Sequence, residues 1–245
     1  MSNLSEFIGG GKLCYQEFLA SGTFTPSTRL LALGGVVLVE AIGGGASGAA
    51  RWSNSPTTAE QGASGGDAGQ YVEGLVTVTA AVAVTIGAGG VRASAAFGES
   101  KDGLAGGATS FGALLTAAGG LCPLLVAGSN VIAKAGDGAR SSGASLRSAA
   151  GHLIGTTGGR GINGKVGGGA AAGVVTATAG VSLATDGGGN GTHSSITPAA
   201  DVLGNSATAN SGAGGGGIVV VASTAAFAVK SGAGGTGWLR ATWFE

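Results

Sequence analysis

Several glycines between Gly155 and Gly169 have the spacing of nucleotide-binding motifs. Gly159 to Lys165 reads GxxxxGK, most of a phosphate-binding loop, and three of its glycines also fit the GxGxxG dinucleotide pattern. A phosphate loop needs a Ser or Thr hydroxyl after the lysine to bind magnesium, and that residue here is Val166. The βαβ unit that the dinucleotide motif requires is not evident around the segment. The sequence therefore argues against a nucleotide site, and no cofactor is predicted.

The same stretch has a second regularity, because a glycine recurs every third residue from Gly155 to Gly167. A left-handed extended helix has three residues per turn and no internal hydrogen bonds. Glycine at every third position lets neighbouring helices approach closely and bond to each other. Asn163-Gly164 alternatively fits a tight turn, since both residues tolerate positive φ. The spacing favours polyglycine-type extended helices, or a glycine hairpin, in the middle region at 135–217.

Catalytic and metal-binding patterns are weak throughout the sequence. His152 and His193 are the two histidines, and neither lies in a cluster of Cys, Asp or Glu that would suggest metal ligands. Serines are frequent, but the G-x-S-x-G nucleophile elbow does not occur. The carboxylates are scattered, so no spacing selects an acid pair for glycoside hydrolysis. We predict a protein that is not an enzyme and that has no metal site.

Binding is better supported by the residue pattern. The stretch ARWSNSPTTAEQ, residues 50–61, concentrates an aromatic ring, a cation and amides around Arg51, Trp52 and Asn54. An indole face beside hydrogen-bonding groups suits contact with a sugar or a protein. The alternative is that Trp52 packs down onto the glycine-rich surface. Two further segments, RGINGK and DGGGNGTH, supply second-rank receptor-binding candidates, which are Arg160, Asn163, Asn190 and His193.

Composition limits the class of protein. The chain has 245 residues, of which 54 are glycine and only 10% are charged, with a formal net charge of +0. This balance offers no electrostatic surface for nucleic acid. It is also not typical of disorder, because 44% of the residues are hydrophobic. No secretory signal and no membrane span are predicted. Small side chains bury little area per residue, which favours stabilisation by assembly.

Strand patterns dominate over helical ones, and the sequence predicts an all-β, glycine-looped, sandwich-like domain with little helix. Val36–Ile42 and Trp238–Phe244 are the clearest strands, and the alternating valines at 72–86 predict two strands with a tight turn, or one bent strand. Long glycine-rich connections separate the strands, at 43–69, 87–108, 135–173 and 185–217. These are functional loops, mobile segments, or backbone ordered in a way that helix and strand patterns miss.

Four stretches together resemble the glycine-rich domain of tail fibres and receptor-binding adhesins of tailed bacteriophages. They are GTFTPSTRLLALGGVVLVEAIGGGASGAA, GGDAGQYVEGLVTVTAAVAVTIGAGG, GGATSFGALLTAAGG and GAGGTGWLRATWFE. The resemblance follows a valine-rich strand that ends in glycines, a threonine/valine hairpin, a TSFG element at 109–112 and a closing tryptophan-bearing strand. It extends over nearly the whole chain after residue 15.

The resemblance implies a non-catalytic virion protein at the distal fibre or tip of a phage tail. Such a protein attaches the virion to a glycan or pilus on the host cell and is expected to be a homotrimer. It is made in the host cytoplasm without a signal peptide. Residues 1–20 are interpreted as a lead-in segment that docks other tail proteins, and residues 21–245 as one glycine-rich β domain. The alternative function is a structural adaptor or fibre-chaperone-like component of the tail.

Overall fold

The computed structural model describes residues 11–53, 61–121, 201–221 and 228–245, together with the backbone of three short strands between residues 172 and 194. Within these residues the one helix, α1 (Thr28–Ala32), is little more than a single turn. The Ser27 hydroxyl caps it by accepting a hydrogen bond from Leu30 N at 3.0 Å. The prediction of an all-β domain with little helix is confirmed.

The described strands are short and lie in five sheets. Two predicted strands, Val36–Ile42 and Trp238–Phe244, match the structure from end to end. In chain order the strands are β1 (Leu13–Phe18), β2 (Gly22–Phe24), β3 (Val36–Ile42), β4 (Ala50–Ser53), β5 (Gln61–Ala63), β6 (Tyr71–Thr77), β7 (Val82–Thr85), β8 (Ser94–Ala95), β9 (Ser100–Lys101), β10 (Thr109–Phe111), β11 (Leu115–Ala117), β12 (Ala172–Val175), β13 (Thr178–Ala179), β14 (Thr192–Ser194), β15 (Val202–Leu203), β16 (Ile218–Val221), β17 (Val229–Lys230) and β18 (Trp238–Phe244).

Two antiparallel sheets pack face to face, and we call them the sandwich end. Sheet A has the strand order β1-β18-β3-β6, and sheet B has the order β11-β10-β7-β2. The alternation of β3 explains the packing, because every second side chain faces the same way. Val37, Val39 and Ala41 are buried between the sheets, whereas Val36 and Leu38 are exposed on the outside of sheet A.

Aromatic rings fill the core of the sandwich end. The Phe24 ring centroid lies 5.4 Å from that of Phe111 and 5.2 Å from that of Trp243, in the tilted and edge-on arrangements that aromatic pairs prefer. The closing strand β18 therefore divides its aromatic residues between two faces. Trp243 packs against the core, while the ring of Phe244 is exposed on the other side of the sheet.

The valine-rich stretch at 72–86 forms two strands that do not pair with each other. β6 pairs with β3 in sheet A, and β7 pairs with β2 and β10 in sheet B. Between them, the Val78 N–H donates to the carbonyl of Gly35 at 2.8 Å, and the Val78 side chain is buried. This contact fixes the chain as it crosses from one sheet to the other. The predicted hairpin is wrong, and the segment is a corner between sheets.

The other three sheets form the distal end of the molecule. Sheet C has the order β14-β16-β4-β9, sheet D the order β13-β12-β5 and sheet E the order β15-β17-β8. Strands of sheet C contact strands of both sheet D and sheet E. Sheets C and E enclose a second core, whose members are Ala50, Trp52, Ala93, Ala95, Ile218, Val220 and Val229.

Backbone that is neither helix nor strand connects the two ends, and it is hydrogen-bonded throughout. The segments are 43–49, 64–70, 87–90, 104–107, 118–121, 204–217 and 231–237, and we call them the glycine lattice. Segment 43–49 shows the pattern of these hydrogen bonds. The N–H groups of successive residues donate to different neighbouring segments, and every third N–H group donates to the same segment. Gly43, Ala46 and Ala49 donate to Gln70, Asp67 and Ser64, respectively, of one antiparallel neighbour.

Segment 43–49 lies at the centre of the lattice. Its remaining N–H groups alternate between segments 104–107 and 231–237, and all seven donor–acceptor distances are 2.8 to 3.0 Å. Its carbonyls accept from three further segments, through the N–H groups of Gly90, Gly120 and Gly215. Six described segments therefore surround one extended chain with a three-residue period. This is the hydrogen bonding expected of side-by-side polyglycine-type helices, in which three residues make one turn.

The structure places this lattice differently from the prediction. The polyglycine-type helices were expected at 135–217, and of that range only 204–217 is seen to contribute. The period-three stretch at 155–169 lies outside the described residues. Glycine-rich connections at 43–69 and 87–108 instead form much of the lattice. In the lattice segments of these connections the backbone is ordered without helix or strand, and the described residues between those segments include β4, β5, β8 and β9.

Side-chain oxygens complete the hydrogen bonding where a lattice segment lacks a carbonyl partner. Thr109 Oγ1 accepts from Gly87 N at 3.0 Å, and Ser231 Oγ accepts from Ala93 N at 2.9 Å. Both hydroxyl-bearing residues are fully buried. A buried N–H group without a partner would lose its hydration without compensation. These hydroxyls therefore hold the edges of the lattice together.

Replacing Thr109 with valine tests this role. The side chain keeps its shape but leaves the Gly87 N–H without an acceptor, so we expect a loss of about 1–3 kcal/mol in the free energy of unfolding. The control is Thr116→Val on the exposed side of β11, which should change stability by less than about 0.5 kcal/mol. Urea unfolding of both variants provides the measurement. Equal stabilities would contradict the assignment.

Candidate functional site

Lattice segments 43–49, 64–70, 87–90, 104–107 and 231–237 lead from one end of the molecule to the other, whereas 204–217 leaves β15 and returns to β16, both at the distal end. Segment 43–49 leads from β3 in sheet A to β4 in sheet C, and segment 64–70 returns from β5 in sheet D to β6 in sheet A. Both ends of the described chain lie at the sandwich end, where Glu245 N donates to the Lys12 carbonyl at 2.9 Å. The β8–β9 connection, residues 96–99, lies at the opposite, distal end.

Trp52, the leading receptor-binding candidate, is in β4 at the distal end but is buried. Its side chain is 2% exposed and packs in the second core between sheets C and E. The expectation of an exposed indole is therefore wrong, and the alternative that Trp52 packs down is observed. The physical reason is that β8 and β17 of sheet E pack against β4 and cover the face on which Trp52 lies.

Arg51 and His193 are brought together by the strand register. Arg51 pairs with Val219 on one side and Ser100 on the other, and His193 pairs with Val219 from the far side. Neighbouring strands are about 4.8 Å apart, so these two candidates occupy one cross-strand row at a backbone separation of about 10 Å. Arg51 is half-buried, and this burial lowers the pKa of its guanidinium. Two predicted residues that are distant in sequence thus share one sheet.

The β8–β9 connection contributes an aromatic residue that the sequence analysis did not select. The Phe97 ring meets the Trp52 indole edge-on, with 5.2 Å between centroids, and it remains 38% exposed. Gly98 permits the tight turn with a φ of 74°. The backbone carbonyl of Glu99 accepts from Trp52 N at 2.9 Å, which fixes the turn to the edge of β4. The stretch AFGESK shares an aromatic ring and a cation with residues 50–61, but it lacks the amides that also singled out that stretch.

Charges surround this exposed ring. Lys101 Nζ lies 3.4 Å from Glu99 Oε2, and both side chains are exposed. Glu99 also accepts from Ala96 N at 3.2 Å, and this hydrogen bond together with Lys101 holds the pKa of the carboxyl below its ordinary value. We define the distal surface as Phe97, Glu99 and Lys101. It offers one apolar ring edge among donors and acceptors of both signs.

Comparison with known families identifies the kind of domain. A family model described as a glycine-rich domain matches residues 20–242, which include both cores and the glycine lattice. The chain belongs to this glycine-rich domain family. No curated protein gives a significant match to the sequence.

Four of the predicted receptor-binding residues of this glycine-rich domain are outside the described part of the chain. They are Asn54, Arg160, Asn163 and Asn190, and the GxxxxGK match at 159–165 lies there as well. Arg51, Trp52 and His193 are all in sheet C, so the structure brings three of the seven candidates to one end. Phe97, Glu99 and Lys101 are added to them by the fold.

Among residues 11–53, 61–121, 201–221 and 228–245, no group of three His, Cys, Asp or Glu side chains is placed to hold a metal ion. In the same part of the chain, no helix has the length and apolar character needed to cross a membrane.

Proposed function

We propose that this glycine-rich domain is a receptor-binding protein of a bacteriophage tail fibre or tail tip. It attaches the virion to a glycan or pilus on the host cell surface and performs no catalytic step. The observation that carries the proposal is the separation of the two ends by the glycine lattice. The sandwich end, which includes β1 and β18, lies on one side, and the loop-bearing distal surface lies on the other.

The lattice suits a spacer that carries binding groups away from an attachment point. Its segments are cross-linked by backbone hydrogen bonds in several directions around segment 43–49, which restricts bending. Groups that are held on rigid elements bind with a smaller loss of conformational entropy. The resemblance of four sequence stretches to phage adhesins supports the same role. We further propose a homotrimer in the virion, joined to other tail proteins at the N-terminal segment.

The residue types of the distal surface suit a small contact with a carbohydrate or a protein. Phe97 presents an apolar edge, and Lys101 and Glu99 supply a donor and acceptors beside it. Aromatic residues flanked by polar groups suit ligands with both apolar and hydroxylated faces. The balanced charge disfavours long-range attraction, so recognition would depend on close contact.

Binding to bacteria tests the proposal. Fluorescently labelled protein, purified as its native assembly, should bind cells of some strains in a panel and should block phage infection of those strains. Phe97→Ser should weaken cell binding roughly five- to tenfold, as expected for losing an aromatic contact worth about 1 kcal/mol. Thr116→Ser on sheet B, far from the distal surface, is the matched control and should bind as the native protein does.

Two outcomes would contradict the proposal. Correctly assembled protein that neither binds cells nor blocks infection would exclude receptor binding. If the Phe97→Ser variant binds cells as strongly as the native protein does, the receptor contact is not on the distal surface. The homotrimer is checked separately by light scattering, where a stable monomer would overturn it.

A structural adaptor in the tail is the second candidate, and one observation favours it. Leu13 and Tyr15 of β1 and Leu75 of β6 are exposed on the outside of sheet A, at the end where a neighbouring tail protein would attach. An adaptor would have both its sandwich end and its distal surface covered by other virion proteins. An image of the assembled tail with this chain located in it distinguishes the two functions.

A further inference from the structure

The outside of sheet A is a continuous face across four strands, which we call the outer face. The register places its side chains in cross-strand rows, because directly paired residues point to the same side. One row consists of Tyr15, Thr242, Leu38 and Leu75, and the next consists of Glu17, Arg240, Glu40 and Glu73. In the described structure no other sheet covers this face, since sheet B packs on the opposite side.

The part of the outer face that contains the Tyr15 row is apolar and exposed. Leucine, valine and aromatic side chains from all four strands contribute to it. Their exposed fractions are 73% for Leu75, 69% for Tyr15, 57% for Leu13, 50% for Val36, 48% for Phe244 and 38% for Leu38. Scattered exposed apolar residues are ordinary, but a contiguous group on one sheet is typical of an interaction site.

The charged row is built by hydrogen bonds and carries an excess of negative charge. Arg240 Nε donates to Glu40 Oε2 at 2.8 Å, and the Tyr71 hydroxyl donates to Glu73 Oε2 at 2.8 Å while lying 3.1 Å from Glu40 Oε1. Burial and the two carboxylates raise the pKa of Tyr71, so the hydroxyl stays protonated. Three carboxylates, of Glu17, Glu40 and Glu73, face one guanidinium, which leaves the row with two net negative charges.

We propose that the outer face docks a partner protein that presents lysine or arginine side chains between apolar side chains. A cationic group on the partner would meet the uncompensated carboxylates, while apolar groups on either side would cover the leucine and tyrosine row. Complementary charge of this kind fixes the register of an interface and its specificity. The proposal does not rest on receptor binding, because it concerns the opposite end of the molecule.

Two other occupants fit the charge pattern less well. A second copy related by a twofold axis would place one acidic row against the same row of its partner, and like charges facing each other are unfavourable. Residues 1–10 of this chain precede β1, but they contain Glu6 and neither lysine nor arginine. The excess of carboxylates therefore favours a separate, basic partner.

Selection from a yeast-displayed library of short random peptides tests the proposal on the full chain. Peptides that bind the native protein should be enriched in Lys or Arg flanked by apolar residues. Binding of the enriched peptides should fall about tenfold with Leu75→Asp and severalfold with Glu73→Gln, and it should weaken with salt. The control is Val91→Asp, a similarly exposed apolar position directly after lattice segment 87–90, which should bind as the native protein does.

The alternative occupants give different results. If Leu75→Asp lowers the oligomeric mass measured by light scattering, a second copy covers the face and the proposal is wrong. It is also wrong if peptides bind only after residues 1–10 are deleted. Selected peptides that are acidic, or that bind Leu75→Asp and the native protein equally, would overturn it as well. Circular dichroism of each variant confirms that the comparison is made between folded proteins.

Discussion

Gly45→Ala is expected to remove about 3 kcal/mol or more from the free energy of unfolding, a large share of the stability of a typical domain. A methyl group at this position would lie under 3.0 Å from the carbonyl carbon and oxygen of Ala213. That oxygen cannot move aside freely, because it accepts a hydrogen bond from Gly235 N at 2.8 Å. Gly45 is itself fixed, since its own N–H donates to the Gly235 carbonyl at 2.9 Å.

The matched control is Gly22→Ala in β2. There the added methyl would lie 3.6 Å from the Phe18 ring, an ordinary contact, and the backbone φ is not positive. This variant should be neutral or more stable by about 0.4–1 kcal/mol, because alanine reduces the entropy of the unfolded chain. Urea unfolding of the two variants checks the difference. Similar losses in both would mean that the lattice is looser than its hydrogen bonds indicate.

Trp52→Ala is expected to destabilise the protein by about 3–5 kcal/mol, the range for deleting a buried tryptophan side chain. The indole fills the core between sheets C and E, and Ile218, Val220 and Val229 would lose their packing with it. Receptor binding should fall together with the folded fraction. Trp52→Phe keeps a ring in the core and should lose less stability, so it remains measurable if the alanine variant does not fold.

Phe97→Ala provides the comparison for Trp52. Phe97 touches the same indole but is partly exposed, so its removal should cost about 1 kcal/mol of stability. We expect the substitution of Trp52 to lower mainly the stability and the substitution of Phe97 to lower mainly the cell binding. Thermal unfolding and the cell-binding assay on the same preparations show this. A stable Trp52→Ala protein that fails to bind would instead make Trp52 a direct contact.

Strands β3 and β18 of the sandwich end could be predicted from a glycine-bounded apolar run and from an aromatic-rich segment, whereas β1 lies in residues interpreted as a lead-in and β2 was not predicted. Val37, Val39 and Ala41 alternate with exposed residues, and the structure reproduces the strand limits of β3 without a shift. The corner after β6 was missed for a physical reason. Its geometry is set by the bond from Val78 N to Gly35, and nothing in the sequence near Val78 reveals that partner.

The sequence predicted the type of structure in the glycine lattice but not the residues that form its centre. A three-residue glycine period indicates extended helices, yet segment 43–49 has glycine at only four of its seven positions and still occupies the centre. Its neighbours are chosen by close packing across the molecule. The burial of Trp52 has the same origin, because an aromatic residue after a glycine run is equally consistent with an exposed tip and with a core.

The position of segment 43–49 also determines when the protein can finish folding. Gly45 is synthesised early, but the carbonyl that its N–H requires belongs to Gly235, which is 190 residues later (235 − 45). At about 5–20 residues per second, a ribosome needs roughly 10–40 s to cover that distance. The central segment therefore remains incompletely bonded until residues 231–237 have been synthesised. Contacts between such distant residues are slow to form, and a nascent chain that ends before residue 231 cannot close its own centre.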